Sequence, residues 1–327
     1  MRIKNMPINI APSLIKKLES NQIFVFGSNV EGRHGKGAAL DALNKFGAIY
    51  GQSSGLQGSS YGIVTKDLSK GVCSIPLSQI ESQIQDLCYH ANSTPDIKYL
   101  LTPIGTSNAG YSMQEIIDIL PDTFPSNVWI PEQFAYRYIS KNTMHVMFTG
   151  NRIKSFDSAA ERDDAYSHLS KLINRAIKRA IEWGHDTIHF ISGMALGVDT
   201  AACEFVLAQK SKGHSINILL TAAVPCLNQD AKWRHHDKEK YHLLREQCDY
   251  IKYVSNCDYS GAGGAKCLDN RNKWMLSKLV GTHDMAIAIH HGGSGGTQNC
   301  INDLSAAGKR TVIYNYRSNQ FIKLGNW

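Results

Sequence analysis

The sequence predicts an α/β chain of two domains, a mixed α/β domain over residues 1–140 and a mostly parallel, doubly wound sheet over 141–327. Three observations carry that prediction. From residue 144 onward, apolar runs alternate regularly with helix-like stretches. Glycine-rich turns follow several of these runs and open the next helix. The net charge of +7 lies entirely in the second part, which holds 24 Lys and Arg against 17 Asp and Glu, while residues 1–140 hold 11 of each. Regular β-α alternation gives a parallel sheet with helices on both faces. Such sheets bind ligands at the carboxyl ends of their strands.

In the first domain, strands are predicted at Ile23–Phe26, Tyr61–Val64, Lys98–Pro103 and Val128–Ile130, and helices near Ala38–Phe46, Ser78–Ala91 and Met113–Leu120. The first strand runs into Gly27-Ser28-Asn29 and then Gly35-Lys36-Gly37-Ala38, where close glycines permit positive φ and a near approach of ligand to backbone. A second loop, Gly105-Thr106-Ser107-Asn108-Ala109-Gly110-Tyr111, leaves the third strand in the same way. The polar passages Pro121–Pro131 and Gln133–Asn142 mark the boundary between the domains.

The second domain reads as strands at Met144–Thr149, Thr187–Ile191, Ser215–Ala223, Tyr250–Val254, Asp284–Ile289 and Arg310–Tyr314. Helices are predicted near Ala159–Trp183, Asp199–Lys210, Lys238–Cys248, Lys273–Leu279 and Thr297–Ala307. Three turns of small residues leave these strands: Thr149-Gly150-Asn151-Arg152, the run from Ser192-Gly193 to Asp199, and the run from His290 through Gly293-Ser294-Gly295-Gly296 to Thr297. A strand that feeds a helix N-terminus points unpaired N–H groups and a positive dipole end at one spot. The last two turns therefore predict an anionic ligand held between them, a nucleotide above all. Asp199 at its helix start is either an ordinary first-turn acid or an acceptor for ribose hydroxyls. Arg271 and Asn272 are placed at a helix start, where an arginine either forks onto a phosphate or stays a solvated charge.

A chain of 327 residues, 43% hydrophobic and 19% charged, is globular with room for real cores. It shows neither a signal peptide nor a membrane span, so a cytoplasmic location and no membrane partner are expected. Its 8 cysteines form no CxxC pair, which argues against a zinc site and a disulfide framework. The pairs His235-His236 and His290-His291 lack a second cluster at ligand spacing, so no metal is expected. The basic second half suits either nucleotide phosphates or a nucleic-acid backbone. No basic run with interleaved aromatics occurs, which places single-strand DNA second. The sequence leaves the oligomeric state open, a homo-oligomer included.

The series Thr149-Gly-x-Arg152, Ser192-Gly-x-x-x-Gly-Val-Asp199, Pro225-x-x-x-Gln229-x-x-x-Trp233, Arg271-Asn-x-Trp-Met275 and Gly292-Gly-Ser-Gly-Gly-Thr297 resembles the SLOG superfamily. Its YpsA-like branch is the nearest, and Ser192–Ala202 with Arg271-Asn272 is also similar to DNA-processing protein A. The resemblance covers about 145–315 and implies a Rossmann-like sheet that binds nucleotides. Phosphoribohydrolases of the superfamily resemble Pro-Gly-Gly-x-Gly-Thr-x-x-Glu at the last loop, with the glutamate and an upstream arginine cleaving an N-glycosidic bond. Here Arg271 matches that arginine, but the loop begins with His291, carries an extra glycine and shows Asn299-Cys300 where the acid is needed. An amide cannot exchange a proton as a carboxylate does, so binding survives this departure better than catalysis.

Residues 22–132 bear a weaker resemblance to macro domains, which bind ADP-ribose. Asn29, Gly35, Gly37 and Ala38 match their helix-opening loop, and Gly105–Tyr111 the loop that encloses the diphosphate. Asn29 and Asp67 are candidate polar contacts, although for each taken singly an Asx-turn and a loop salt bridge are the ordinary readings. His34 either polarises a leaving group or is exposed. Together the two resemblances imply a protein that binds ADP-ribose or a related NAD-derived signalling nucleotide, with or without hydrolysis of an N-glycosidic or distal-ribose bond, and requires no cofactor. Arg271 would hold phosphate, the glycine loops the diphosphate, Trp233 or Trp274 the base and Asp199 the ribose. The alternatives are a sensor or sponge without turnover, as in phage–bacterium conflict, and a single-strand DNA binder.

Overall fold

The computed structural model describes residues 8–135, 139–255, 259 and 261–327. The chain divides into two compact units, Ile8–Tyr138 and Ile139–Trp327.

The first unit runs β1 (Ile8–Ile10), β2 (Gln22–Asn29), α1 (Gly37–Lys45), β3 (Gly55–Gln57), β4 (Ser60–Lys66), α2 (Leu77–Ser93), β5 (Lys98–Leu101), α3 (Met113–Asp118), β6 (Val128–Trp129) and α4 (Glu132–Ala135). Its sheet has the order β3-β4-β2-β5-β6, parallel throughout except for β3 against β4. The central strand β2 buries Phe24, Val25 and Phe26. Helix α2 lays Ile80, Ile84, Leu87 and Ala91 along one face, the helical stripe that a sheet can cover. Ser112 and Glu115 close a capping box at the start of α3. The elements β1, β3 and α4 were not expected, because segments of three or four residues are too short to show a period.

The second unit runs β7 (Thr143–Gly150), α5 (Ala159–Glu182), β8 (Thr187–Ser192), α6 (Val198–Lys210), β9 (Asn217–Val224), α7 (His235–Arg245), β10 (Tyr250–Tyr253), α8 (Gly261–Ser277), β11 (Met285–His290), α9 (Gly296–Ala306), β12 (Arg310–Asn315) and β13 (Gln320–Leu324). Its strands follow the order β10-β9-β8-β7-β11-β12-β13 and are parallel up to β12. The fold is thus the α/β, mostly parallel, Rossmann-like architecture that the pattern predicts. Helix α5 packs on α6 and α6 on α7, while α8 packs on α9, the two-faced arrangement that right-handed crossovers require when the chain moves outward from β7 and then returns. Met147, Ile191, Ala223 and Ala286 of the sheet meet Met275 of α8, Leu279 just beyond its end, and Cys300 and Leu304 of α9 in one buried cluster. Ser158 starts the 24-residue α5 by accepting a hydrogen bond from the Glu161 backbone.

Three expectations need correction. Helix α8 begins at Gly261 rather than near Lys273, so Arg271 and Asn272 sit inside it and not at its start. The glycines of 261–264 read as a breaker in sequence. Strand β13 pairs antiparallel with β12 and was missed, since Phe321 and Ile322 are exposed and the segment reads as a polar tail. Cys267 is disulfide-bonded, whereas Cys73, Cys88, Cys203, Cys226, Cys248 and Cys300 are free.

Candidate functional site

Strand order reverses between β7 and β11: the chain builds outward from β7 through β8 to β10 and then returns to β7's other side. The loops leaving two such strands diverge to opposite faces and open a crevice. A cavity of about 440 Å³ occupies it, lined by Thr149, Gly150, Asn151 and Arg152 after β7, by Asp199 of α6, by Arg271 and Asn272 of α8, and by His291 and Ser294 to Thr297 after β11.

The floor is a buried ion pair. Arg271 Nη1 lies 3.3 Å from Asp199 Oδ2, with side-chain exposures of 9% and 6%. The guanidinium also donates from Nη1 to the Gly193 carbonyl and from Nε to Asn272 Oδ1 at 2.9 Å. Asp199 Oδ2 accepts from the Ala195 backbone at 3.3 Å, but Oδ1 is buried with no partner. Burial pushes the Asp199 carboxyl above its ordinary range, with Arg271, the Ala195 N–H and Arg152 pulling the other way. A buried acceptor without a donor is costly, so its place in a cavity wall is informative. Asp199 is the second residue of α6 after the N-cap Gly197, and its role is not that of a cap.

The glycine turn before α6 closes on itself. Ser192 Oγ donates to the Asp199 carbonyl at 2.8 Å and accepts from Met194 N, while Gln229 Nε2 donates to the Met194 carbonyl at 2.8 Å. The Val198 N–H goes to the Asn151 carbonyl, and Gly197 N–H to Thr200 Oγ1. Ser192, Gly193 and Gln229 therefore brace the turn and do not line the cavity. Trp233 sits edge-on to Tyr241, and Trp274 packs against the cluster of α8 and α9; neither lines the cavity.

The turn before α9 stays open. Its N-cap Gly295 has no side-chain cap, and a Cβ on Gly295 or Gly296 would meet nothing within 4 Å. Thr297 Oγ1 ties the first turn of α9 to the Gly150 carbonyl at 2.9 Å. The Gly293 N–H is spent inside the loop, donating to His291 Nδ1 at 2.7 Å, so Gly293 serves the loop's shape rather than a ligand. Burial, countered in part by Gln298, lowers the His290 pKa. His290 Nδ1 lies 3.2 Å from Asn151 Oδ1 and its Nε2 2.9 Å from Gln298 Oε1. The His291 backbone N–H also donates to Asn151 Oδ1 at 3.2 Å, so that oxygen faces both histidines. Asn151, Lys154, Ser155 and His291 line the cavity although the sequence did not single them out as ligand contacts. A lone asparagine or histidine after a strand carries no spacing signal.

At the position of the phosphoribohydrolase acid stands Cys300, buried in the core, with burial raising its thiol to about 11. Among the described residues lining the cavity, Asp199 is the sole carboxylate.

In the first unit a cavity of about 370 Å³ is lined by Gly27, Ser28, Asn29, Gly35 and Ala39 together with Arg33, Lys36, Lys66 and Asn108. Gly37 and Ala38 border a separate cavity of about 310 Å³ with Asp41 and Glu132. Gly105, Thr106, Gly110 and Tyr111 line neither. Tyr111 is buried and bonds through its hydroxyl to the Ile75 backbone. The Asn29 amide closes an Asx-type turn, donating to the Arg33 carbonyl at 2.6 Å and accepting its N–H at 2.9 Å. Hydrogen bonds from Ser69 and Lys70 hold the Asp67 carboxyl down at about 2, a loop-capping role. His34 is buried rather than exposed, with Nε2 on the Ile49 carbonyl at 3.1 Å and the ring edge-on to Phe26.

Among the described residues no group of three or more His, Cys, Asp or Glu side chains could hold a metal ion, and no helix is long and apolar enough to cross a membrane.

Residues 146–307 match the sequence profile of the YspA SLOG family, YpsA. Over 122 residues the chain is 34% identical to the SPbeta prophage-derived protein YoqJ of Bacillus subtilis, covering 35% of this chain and 67% of that protein. It is 31% identical over 121 residues to a UPF0398 protein of Brevibacillus brevis, covering 37% and 61%. With a UPF0398 protein of Halalkalibacterium halodurans the identity is 25% over 136 residues, covering 42% and 68%. The chain thus spans about two thirds or less of the curated relatives it matches. Through its second unit, the chain belongs to the YpsA SLOG family.

Proposed function

We propose that the second unit binds a phosphorylated, NAD-derived nucleotide of the ADP-ribose class in the cavity between the β7 and β11 loops. The single observation that carries this reading is Asp199, a buried carboxylate with an unpartnered Oδ1 in the wall of a cavity otherwise ringed by Arg152, Lys154 and Arg271. A ribose hydroxyl would satisfy that oxygen, while the cations and the open N-terminus of α9 would take the phosphates. The cavity is of the size that small-molecule sites have. Cys300 in place of the phosphoribohydrolase acid favours binding without turnover, a sensor or sequestering role.

The first unit supports an ADP-ribose-binding, macro-like reading of its own. Its cradle of Gly27, Ser28, Asn29 and Gly35 faces Arg33, Lys36 and Lys66, a cationic and backbone-rich lining. A prophage-derived relative makes conflict between phage and bacterium a natural setting for such a protein.

The test is calorimetry on the full chain with ADP-ribose, AMP and a single-stranded oligonucleotide at several salt concentrations, with the recovered nucleotide checked for cleavage. Enclosed nucleotide binding should change little with salt, while a phosphate-tracking DNA site should lose affinity steeply. Tight oligonucleotide binding that collapses with salt, with no heat from either nucleotide, would overturn the proposal.

A further inference from the structure

We infer that His291 is a ligand-contacting residue of the second unit's cavity, donating a hydrogen bond from Nε2 to a phosphate oxygen. The inference rests on the nucleotide-binding reading above and names one contact within it.

The backbone of the loop fixes the chemistry of the imidazole at 291. Gly293 N–H donates to His291 Nδ1 at 2.7 Å, so Nδ1 carries a lone pair and the neutral ring must hold its proton on Nε2. Glycine at 293 permits this clasp, because a Cβ there would strike the imidazole. The ring is held from two further sides, stacked on His290 at 5.0 Å and edge-on to Tyr316 at 6.0 Å. The His291 backbone N–H is tied to Asn151 Oδ1. His291 lines the cavity with Arg152, Lys154 and the first turn of α9, so the nitrogen not consumed by the loop belongs to the anion-binding wall. An oriented N–H donor beside the cations Arg152 and Lys154 favours a negatively charged acceptor, so a phosphate oxygen is held more strongly there than a neutral sugar hydroxyl.

Two substitutions separate contact from scaffolding. His291→Asn keeps an acceptor at the Nδ1 position for Gly293 and removes the Nε2 donor. His291→Gln places an amide donor near the Nε2 position and gives up the clasp. The inference expects His291→Asn to bind ADP-ribose and AMP about tenfold more weakly with unchanged thermal stability, and His291→Gln to recover part of the loss, each such contact being of the order of a charge-assisted hydrogen bond. Nitrogen-15 spectra of the imidazole in the full chain should show the Nε2–H tautomer, with the Nε2 resonance moving on addition of AMP and not of adenosine. The reverse pattern, His291→Asn like wild type and His291→Gln weakened, makes the ring a loop clasp and overturns the inference. So does an Nε2 resonance that ignores AMP while wild-type protein binds it. Wild-type protein that binds neither nucleotide removes the underlying functional reading itself.

Discussion

The two glycine-rich turns of the second unit look alike in sequence and do opposite work. In the turn before α6 the glycines make room for protein: a Cβ on Gly193 would strike the Arg271 guanidinium, and one on Gly197, at φ +121°, would lie 2.5 Å from the Asn151 carbonyl oxygen. Its N–H groups are consumed by Asn151 and Thr200. In the turn before α9, Gly295 and Gly296 face open space and the helix N-terminus has no side-chain cap. The first turn is therefore a packing device that positions Asp199, and the second is an opening that a ligand can reach. A glycine motif announces close approach without saying what approaches.

The largest effect that tests this contrast comes from the ion pair the first turn is built around. Replacing Arg271 by Met leaves Asp199 buried without its partner and frees the Gly193 carbonyl, and should cost about 3–5 kcal/mol in denaturant unfolding at pH 8. The loss should shrink as pH falls, because Asp199 can then take up a proton. A loss below about 1 kcal/mol at pH 8 would mean that Arg271 is no part of the scaffold and would return it to the ligand alone.

Next in size is Gly197→Ala, which forces a side chain into left-handed backbone against Asn151 and Arg152. It should lower stability by about 1–3 kcal/mol. Gly296→Val is the matched substitution on the other side of the comparison. Gly296 has ordinary φ and open space around its Cβ position, so stability should stay within about 0.5 kcal/mol of wild type while ADP-ribose affinity falls roughly tenfold, about 1.4 kcal/mol. Paired thermal melts and calorimetry decide it. If Gly197→Ala weakens only binding, or Gly296→Val only folding, the two turns have been assigned the wrong way round.

Much of this arrangement was legible in the sequence, and the boundary of legibility has physical causes. Strands β7 to β12 are buried apolar runs with turn residues at their ends, so their positions follow from composition alone within a residue or two. The sheet edge that gathers the loops follows from β-α alternation. The division of labour between the two turns was not legible, because it depends on which atoms lie opposite each glycine. Helix α8 was shortened because its early glycines have low intrinsic propensity, which packing in the folded unit overrides. His291 and Asn151 escaped notice because their roles come from tautomer and hydrogen-bond geometry across 140 positions of sequence. In the first unit the loop Gly105–Tyr111 drew attention by composition, yet only its Asn108 and Ala109 reach the cavity.

The smallest effect compares two carboxylates, shifted in opposite directions, through pH. Asp199 has its carboxyl raised by burial, so the folded state holds its proton more tightly than the unfolded chain does. Its contribution is then most favourable below the ordinary carboxylate range and is lost as pH rises through the raised value. Asp67 has the opposite sign. Ser69 and Lys70 lower it from 3.8 to about 2, so its stabilisation is present above 3.8 and disappears as pH falls toward about 2. Denaturant midpoints measured from pH 2 to pH 8 should therefore respond to the two amide substitutions in different windows. Asp67→Asn should flatten the acid limb only, and Asp199→Asn should remove a gentle decline on the side above the ordinary carboxylate range. Adding saturating ADP-ribose should abolish the Asp199 component, because a ribose hydroxyl donating to Oδ1 supplies the partner that the ionised carboxylate lacks. An Asp199 component that persists unchanged in the presence of bound nucleotide would place the ligand elsewhere in the cavity.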